Sequence, residues 1–216
     1  MKFKPKIGVA FTSVEGYDLD QEKLEIFEKK AKTVLDKMEL EKVYLDFKVK
    51  NEKNSKKANA LFRKEDVDLL MIIVGVWTPD STVISLLNNL KIPVLVFTTS
   101  LSMHTVSVNG AQVIVASLKE LGYDFKFIFG DIGSPEVHKK IKDYAMAAAI
   151  VKKLKNTRIG SLGHIPDIML SLEVDSFSVK NIFGPTVIPI DFYKIDYYLK
   201  KTKNAKIKER IKEIKI

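Results

Sequence analysis

Short apolar runs along the chain alternate with stretches in which apolar residues recur every three or four positions. The runs at 6–12, 68–76 and 92–98 are typical of buried strands, and the stretch at 19–38 has helical spacing. Residues 43–49 alternate apolar and polar side chains, as a half-buried strand does. Because strands and helices alternate at this interval, we predict an α/β fold with parallel sheets flanked by helices.

The same order of strand and helix restarts after Gly122. Three further strands are predicted, at 125–129, 158–162 and 186–190. The closing segment carries isoleucines at helical spacing from Ile207 to Ile214, which predicts an amphipathic helix. We therefore predict two consecutive Rossmann-like (flavodoxin-like) units, residues 1–123 and residues 124–216.

Local signals mark the starts of several helices. Ser55 is predicted to cap a helix that extends through Glu65. Thr78, Pro79 and Asp80 together supply a cap, a first-turn proline and a first-turn acid. A further helix is predicted at 110–121, after a polar loop.

Composition narrows the class of protein. With 46% hydrophobic and 29% charged residues, the chain is neither disordered nor collagen-like. The absence of cysteine rules out disulfides and zinc-thiolate sites. The apolar runs are shorter than the roughly 20 residues of a membrane span, and no signal-peptide core follows Lys2, Lys4 and Lys6. We expect a cytoplasmic protein with no membrane partner.

The net charge of +9 raises the question of a nucleic-acid partner. Most of the excess positive charge lies at 193–216, a segment that contains nine Lys or Arg and three Asp or Glu. The chain has only Arg63, Arg158 and Arg210 to supply planar guanidinium groups, and aromatic and arginine residues are not interleaved in the basic tail. We interpret the lysines as a solvated surface and expect no nucleic-acid partner.

Ligands of open parallel sheets bind beyond the carboxyl ends of the strands. Trp77, the single tryptophan, directly follows a central strand, where its ring can stack on a sugar or another flat ligand. It can equally fill the end of the core or a subunit contact. Thr12 and Ser13 begin the loop after the first strand, and His104 lies in the loop after the fourth. We predict Trp77, Thr12, Ser13 and His104 as substrate-binding residues.

Complete catalytic motifs are missing from the sequence. His104, His138 and His164 have no second ligand at metal spacing, and His138 is predicted to be solvated on a helix. No nucleophile-elbow pattern occurs. The glycine pairs at 130–133 and 160–163 lack the Lys-Ser/Thr of a phosphate-binding loop. The sequence therefore predicts no catalytic residue, no metal ligand and no cofactor within this chain.

The order of several segments resembles a known family. These segments are IGVAFTS, DVDLLMIIVGVWTPD, IPVLVFTT, NGAQVIVASLKELGYDFKFIFGD, RIGSLGHIPDIM and FGPTVIPIDF. In this order they resemble the N-terminal region of the L-fucose isomerase and L-arabinose isomerase-like proteins. The resemblance extends over nearly the whole chain, and its most specific elements are Gly75-Val76-Trp77 and the glycines that follow Arg158.

The resemblance implies a function that is only partly present here. Such enzymes interconvert aldoses and ketoses with a divalent metal, usually Mn²⁺, and their metal ligands lie in the later part of a longer chain. An aromatic residue of the N-terminal region closes over the sugar bound by a neighbouring subunit, and Trp77 matches that position. We therefore expect a carbohydrate-facing part that is inactive alone, with a sugar substrate and either a homo-oligomer or a missing C-terminal catalytic domain. The alternative is a non-enzymatic module that binds a sugar or another small ligand.

Overall fold

The computed structural model describes residues 3–16, 20–163 and 174–202, together with 207, 210 and 211. Over these residues strands and helices alternate, as predicted. The strands are β1 (Lys6–Thr12), β2 (Glu41–Tyr44), β3 (Leu69–Val74), β4 (Val94–Thr98), β5 (Phe125–Phe129), β6 (Arg158–Leu162) and β7 (Thr186–Ile190). The helices are α1 (Gln21–Asp36), α2 (Glu52–Lys64), α3 (Asp80–Leu87), α4 (Ser107–Glu120), α5 (Pro135–Lys155), α6 (Ser176–Phe183) and α7 (Phe192–Lys201).

The first five strands form one parallel sheet in the order β2-β1-β3-β4-β5. This is the strand order of flavodoxin-like folds. Helices α1 and α5 contribute to the core on one face, and α2, α3 and α4 to the core on the other. The predicted α/β fold with a parallel sheet flanked by helices is confirmed.

The central strand β3 explains why its sequence is apolar without alternation. Every residue from Leu69 to Val74 is fully buried. Leu69, Met71 and Ile73 pack with α1 and α5, whereas the intervening residues pack with α2, α3 and α4. Since both faces are covered by helices, both sets of side chains must be apolar. Each such side chain contributes about 1.5–3 kcal/mol when it is fully buried.

Two of the predicted helix caps are wrong. The N-cap of α2 is Asn51, whose side chain accepts a hydrogen bond from the backbone N–H of Asn54. Ser55 lies within this helix and its hydroxyl donates to backbone carbonyls instead. Helix α3 begins at Asp80, so Pro79 is its N-cap and not a first-turn residue, and no side chain caps it. The hydroxyl of Thr78 lies against the end of β1 instead. Ser55 and Thr78 thus both make tertiary contacts that the local sequence does not reveal.

The chain divides into two compact units, Met1–Ile150 and Val151–Ile216, so the division falls within α5. The predicted division after residue 123 differs from this one. Phe125–Phe129 forms β5, which pairs with β4 along its whole length. Ile141 and Ala145 of α5 are fully buried in the core on the α1 face. Strand β5 and most of α5 therefore complete the first unit.

The second unit contains a parallel pair of strands, β6 and β7, with α6 between them in sequence and α7 after them. Gly184 ends α6 with a φ of +96°, and its N–H donates to the carbonyl oxygens of Val179 and Lys180. Glycine is favoured at this left-handed position because it has no Cβ. Ile214, in the predicted closing helix, lies outside the described residues.

Among the helices of the described ranges, none is both long enough and apolar enough to cross a membrane.

Candidate functional site

The strand order creates a switch point between β1 and β3, and ligands of such sheets bind beyond the carboxyl ends of the strands there. Thr12, Val74, Thr98 and Phe129 lie side by side in one row across β1, β3, β4 and β5. The loops that follow this row leave the sheet at the same edge. The predicted residues Thr12, Ser13, Trp77 and His104 all belong to this edge or to its loops.

Buried threonines connect the ends of the central strands. The hydroxyl of Thr78 lies 2.9 Å from the Thr12 hydroxyl and 3.1 Å from the Val76 carbonyl oxygen. The hydroxyl of Thr98 donates to the Val74 carbonyl oxygen at 2.9 Å. Thr12, Thr78 and Thr98 are at most 1% exposed. Since buried polar groups need partners, these bonds hold the loop after β3 close to the end of β1.

Thr12 and Ser13 are both buried at the carboxyl end of β1, beneath the loops of this edge. Thr12 is 1% exposed and Ser13 is 4% exposed. The backbone N–H of Ser13 donates to the Val49 carbonyl oxygen at 3.1 Å, which joins the end of β1 to the chain before α2. Direct contact of either residue with a substrate stays a prediction.

Trp77 differs from its two neighbours in exposure. Val76 and Thr78 are fully buried, whereas Trp77 is 39% exposed. The backbone N–H of Trp77 donates to the carbonyl oxygen of Thr105 at 2.7 Å. The loop after β3 is thus joined directly to the loop after β4, which carries His104. The backbone of Trp77 is held in place while much of its side chain remains accessible.

Four polar side chains meet where α1 begins beside the loop after β4. The hydroxyl of Ser102 donates to Oδ2 of Asp20 in a short hydrogen bond, and Nδ1 of His104 lies 3.3 Å from the same oxygen. Nζ of Lys23 lies 3.3 Å from Oδ1 of Asp20. The hydrogen bond from Ser102 holds the pKa of Asp20 below its ordinary value, with Lys23 and His104 acting in the same direction and burial against it. We call Asp20, Lys23, Ser102 and His104 the Asp20 cluster.

Sequence reasoning identified His104 but missed Asp20 and Ser102. Asp20 and His104 are 84 positions apart, and no sequence motif joins them. One available signal was the position of Asp20 directly before an amphipathic helix, but that signal predicts an N-cap, and the Asp20 side chain caps nothing.

Two residues in or near the Asp20 cluster have a strained, left-handed backbone. Asp20 has a φ of +54° and Val106 a φ of +47°. Aspartate tolerates the left-handed region, but a β-branched valine there is an outlier. Such residues cost about 1–3 kcal/mol each and persist where the surrounding contacts impose them. The strain is offset here by contacts such as the hydrogen bond from Ser107, which follows Val106, to the Thr99 carbonyl oxygen at 2.6 Å.

A cleft of about 300 Å³ opens next to this cluster, on the α1 face of the sheet. It is lined by residues of α1 and of the loops after β4 and β5: Lys23, Ile26, Phe27, Lys30, Thr99, Leu101, Asp131 and Ile132. Its volume is at the lower end of the range for small-molecule sites. Its lining combines apolar side chains with charged ones, which suits a small polar ligand that also has an apolar face.

The charges around the cleft are paired. Lys30 forms an ion pair with Asp131 at 2.7 Å, and Lys23 pairs with Asp20. Lys30 is the main cause that holds the pKa of Asp131 below its ordinary value, and the N–H of Gly133 adds to it. Each ammonium group has three donors, so both lysines can also donate to a ligand.

The two glycine pairs of the sequence do not form phosphate cradles. In the pair at 130–133, the N–H of Gly133 donates to Oδ1 of Asp131 at 2.9 Å and is therefore engaged within the loop. In the pair at 160–163, Gly160 lies inside β6. His138 is also not simply solvated, because its Nε2 lies 2.7 Å from the Ile132 carbonyl oxygen.

The Mn²⁺ implied by the resemblance does not fit the residues that the structure describes. Among them, no group of three or more His, Cys, Asp or Glu side chains could hold a metal ion. The Asp20 cluster offers one carboxylate and one imidazole, and the ammonium group of Lys23 lies against that carboxylate. His164, the other histidine predicted in a loop, lies outside the described residues.

Comparison with known proteins adds no assignment: no family model matches the chain, and no curated protein matches it.

Proposed function

We propose that the first unit binds a sugar at the carboxyl edge of its sheet, as the carbohydrate-facing part of a protein that resembles the L-fucose and L-arabinose isomerases. The observation that carries this proposal is the accessible side chain of Trp77 at the switch point between β1 and β3. The apolar face of a sugar ring stacks well on an indole ring.

Polar side chains that could bind the hydroxyl groups of a sugar lie in the loop next to Trp77. The hydrogen bond from Trp77 to Thr105 places it beside the loop that carries Ser102 and His104. Hydroxyl, carboxylate, imidazole and ammonium groups at this edge can donate to or accept from sugar hydroxyls. The combination of an aromatic platform with a few polar groups is typical of small-molecule sites.

The single tryptophan makes this proposal directly testable. We expect titration with L-fucose or L-arabinose to change the Trp77 emission in a saturable way. Calorimetry should show that Trp77→Ala weakens binding by up to about tenfold, because aromatic contacts contribute about 0.5–1.5 kcal/mol and a tenfold change in affinity corresponds to about 1.4 kcal/mol. Phe127→Ala is the matched control, since Phe127 is 36% exposed on β5, and it should bind as the unchanged chain does.

Two results would reject the proposal. The first is the absence of sugar binding to the unchanged chain at concentrations up to about 100 mM, well above the millimolar range. The second is equal affinity for the unchanged chain and Trp77→Ala, which would show that the side chain at the switch point takes no part in binding.

A second candidate function is a non-enzymatic sugar-binding or small-ligand module. The cleft favours it, because all of its lining residues belong to the first unit and no second protein is needed to form it. A complete cleft should bind its ligand in the micromolar range, whereas half of a shared active site should bind only in the millimolar range, a difference of about 4 kcal/mol. The affinity measured by calorimetry therefore distinguishes the two candidates.

A further inference from the structure

Asp20 does not use its side chain as its position suggests. An aspartate directly before a helix ordinarily accepts hydrogen bonds from the N–H groups of the first turn. Here the side chain makes no such bond, and its backbone is left-handed. Its carboxylate instead accepts from Ser102 and contacts His104, both more than 80 positions away. The Asp20 carboxylate thus contacts the loop after β4 and does not cap α1.

The geometry of His104 leaves one ring nitrogen available. Nδ1 lies 3.3 Å from the Asp20 carboxylate, which can only accept, so in the neutral imidazole this contact favours the tautomer in which Nδ1 carries the proton. Nε2 then has a free lone pair. It has no hydrogen-bond partner among the described residues, and the side chain is 69% exposed. An imidazole with one nitrogen held by a carboxylate and the other open is suited to accept and return a proton.

The cleft shares part of its wall with the Asp20 cluster, although His104 itself is not one of its lining residues. Lys23 lines the cleft and pairs with Asp20, and Leu101 lines it directly before Ser102. The same short stretches of α1 and of the loop after β4 thus form both the cleft wall and the Asp20 cluster. A ligand that extends from the cleft towards the loop would present its hydroxyl groups near His104.

We propose that His104 is a proton-transfer residue for the bound sugar and that Asp20 is the positioning residue that orients its imidazole. The inference rests on the proposed function, because the substrate is taken to be a cyclic aldose. The local strain at Asp20 and Val106 supports it, since strained backbone is maintained where contacts impose a particular side-chain arrangement.

The reaction that follows is opening of the sugar ring. Nε2 of His104 takes the proton of the hydroxyl group on the anomeric carbon while the bond between that carbon and the ring oxygen breaks. The anomeric carbon becomes a carbonyl, and the ring oxygen takes a proton from water. The imidazolium then gives its proton to the hydroxide that this water leaves behind, so water and the neutral imidazole are regenerated and no atom is gained or lost. Closure on either face of the carbonyl interconverts the two anomers, and no metal or cofactor is needed for this acid–base step.

Polarimetry of anomer exchange, with the unchanged chain and its variants, tests the proposal. A freshly dissolved single anomer of L-fucose or L-arabinose is mixed with the protein, and the approach of optical rotation to equilibrium is followed. We expect a rate that rises with protein concentration, and a loss of about 100-fold in the protein-dependent rate for His104→Gln. Asp20→Asn should give an intermediate rate. Met103→Gln is the matched control, because Met103 is 95% exposed in the same loop, and its rate should be unchanged.

A spectroscopic measurement separates orientation from simple stabilisation of the loop. In ¹⁵N spectra of the imidazoles, His104 should show a protonated Nδ1 and an unprotonated Nε2 in the unchanged chain. In Asp20→Asn the ring should show a mixture of the two tautomers, because the carboxylate that selects one of them is gone. An unchanged tautomer in Asp20→Asn would overturn the positioning role.

The outcomes separate this inference from the proposed function. If sugar changes the Trp77 emission but the chain does not accelerate anomer exchange, the proton-transfer role is wrong and sugar binding stands. Equal acceleration by the unchanged chain and His104→Gln overturns the proton-transfer role as well. If neither binding nor acceleration occurs, the proposed function and this inference are both wrong.

Discussion

Gly110 lies in the first turn of α4, against the backbone of the loop that presents Trp77. A Cβ atom built on Gly110 would lie 2.9 Å from the backbone nitrogen of Thr78 and 3.0 Å from Cα of Trp77. Both neighbours are backbone atoms, so neither can rotate away as the end of a flexible side chain would. Gly110→Ala therefore tests whether α4 supports the candidate site by close backbone contact.

Two opposing effects determine the magnitude. Alanine is favoured over glycine by about 1 kcal/mol at an ordinary helix position. Overpacking costs about 1–3 kcal/mol, and a contact below 3 Å with backbone places this substitution near the upper limit. We expect a net loss of about 2 kcal/mol in the free energy of unfolding, together with a shift in the emission of Trp77 as its loop moves.

Urea denaturation followed by Trp77 emission measures this directly, because the single tryptophan reports only on the first unit. Ala116→Gly is the control for helix propensity, since Ala116 is an exposed position of α4 and should lose about 1 kcal/mol without any change in native emission. A Gly110→Ala variant that is more stable than the unchanged chain, with native emission, would refute the close-contact argument.

Two further predictions concern a glycine of the second unit and an ion pair of the first. Gly184→Ala should destabilise the second unit by more than about 1 kcal/mol, because φ of Gly184 is +96° and the new Cβ would lie 2.9 Å from Cα of Lys155. Faster amide hydrogen exchange in β6 and β7 of the variant would show this loss of stability. Unchanged exchange would contradict it. Asp131 has a lowered pKa because of Lys30, so its contribution to stability is present above its unfolded pKa of about 3.9 and is lost as the pH falls through the folded value. Asp131→Asn should therefore have a lower urea midpoint than the unchanged chain at about pH 7 and an equal one at about pH 2; a difference that persists at the lower pH would count against the ion pair as its cause.

The division of the chain shows where prediction from sequence reaches its limit. The strand at 125–129 was predicted from its own residues, and His138 was predicted to lie on a helix after it. Their membership of the first sheet was not, because an apolar run indicates burial without indicating which strand lies beside it. The pairing of β5 with β4 and the packing of Ile141 on the core assign both elements to the first unit.

The candidate site shows the same limit at the level of single side chains. Trp77 and His104 were predicted because they follow strands whose carboxyl ends share one edge of a parallel sheet. Thr78 was predicted as a helix cap, yet its hydroxyl bonds to Thr12, 66 positions earlier. Asp20 would also be read as a cap from sequence, yet its carboxylate contacts His104. Short polar side chains have several possible partners, and only the folded arrangement of loops selects one.

The sequence by itself determined the α/β class, the apolar character of β3 and the positions of the strands other than β2, because these depend on local periodicity and on how many faces of each element are buried. The strand predicted at 43–49 is wrong in its bounds, since β2 is Glu41–Tyr44 and Val49 forms only an isolated bridge with Thr12. It also placed Trp77 at a strand end. The tertiary structure alone decided the strand order, the extent of the first unit, the Asp20 cluster and the adjoining cleft. These depend on contacts between residues far apart in the chain, which local patterns of polarity do not encode.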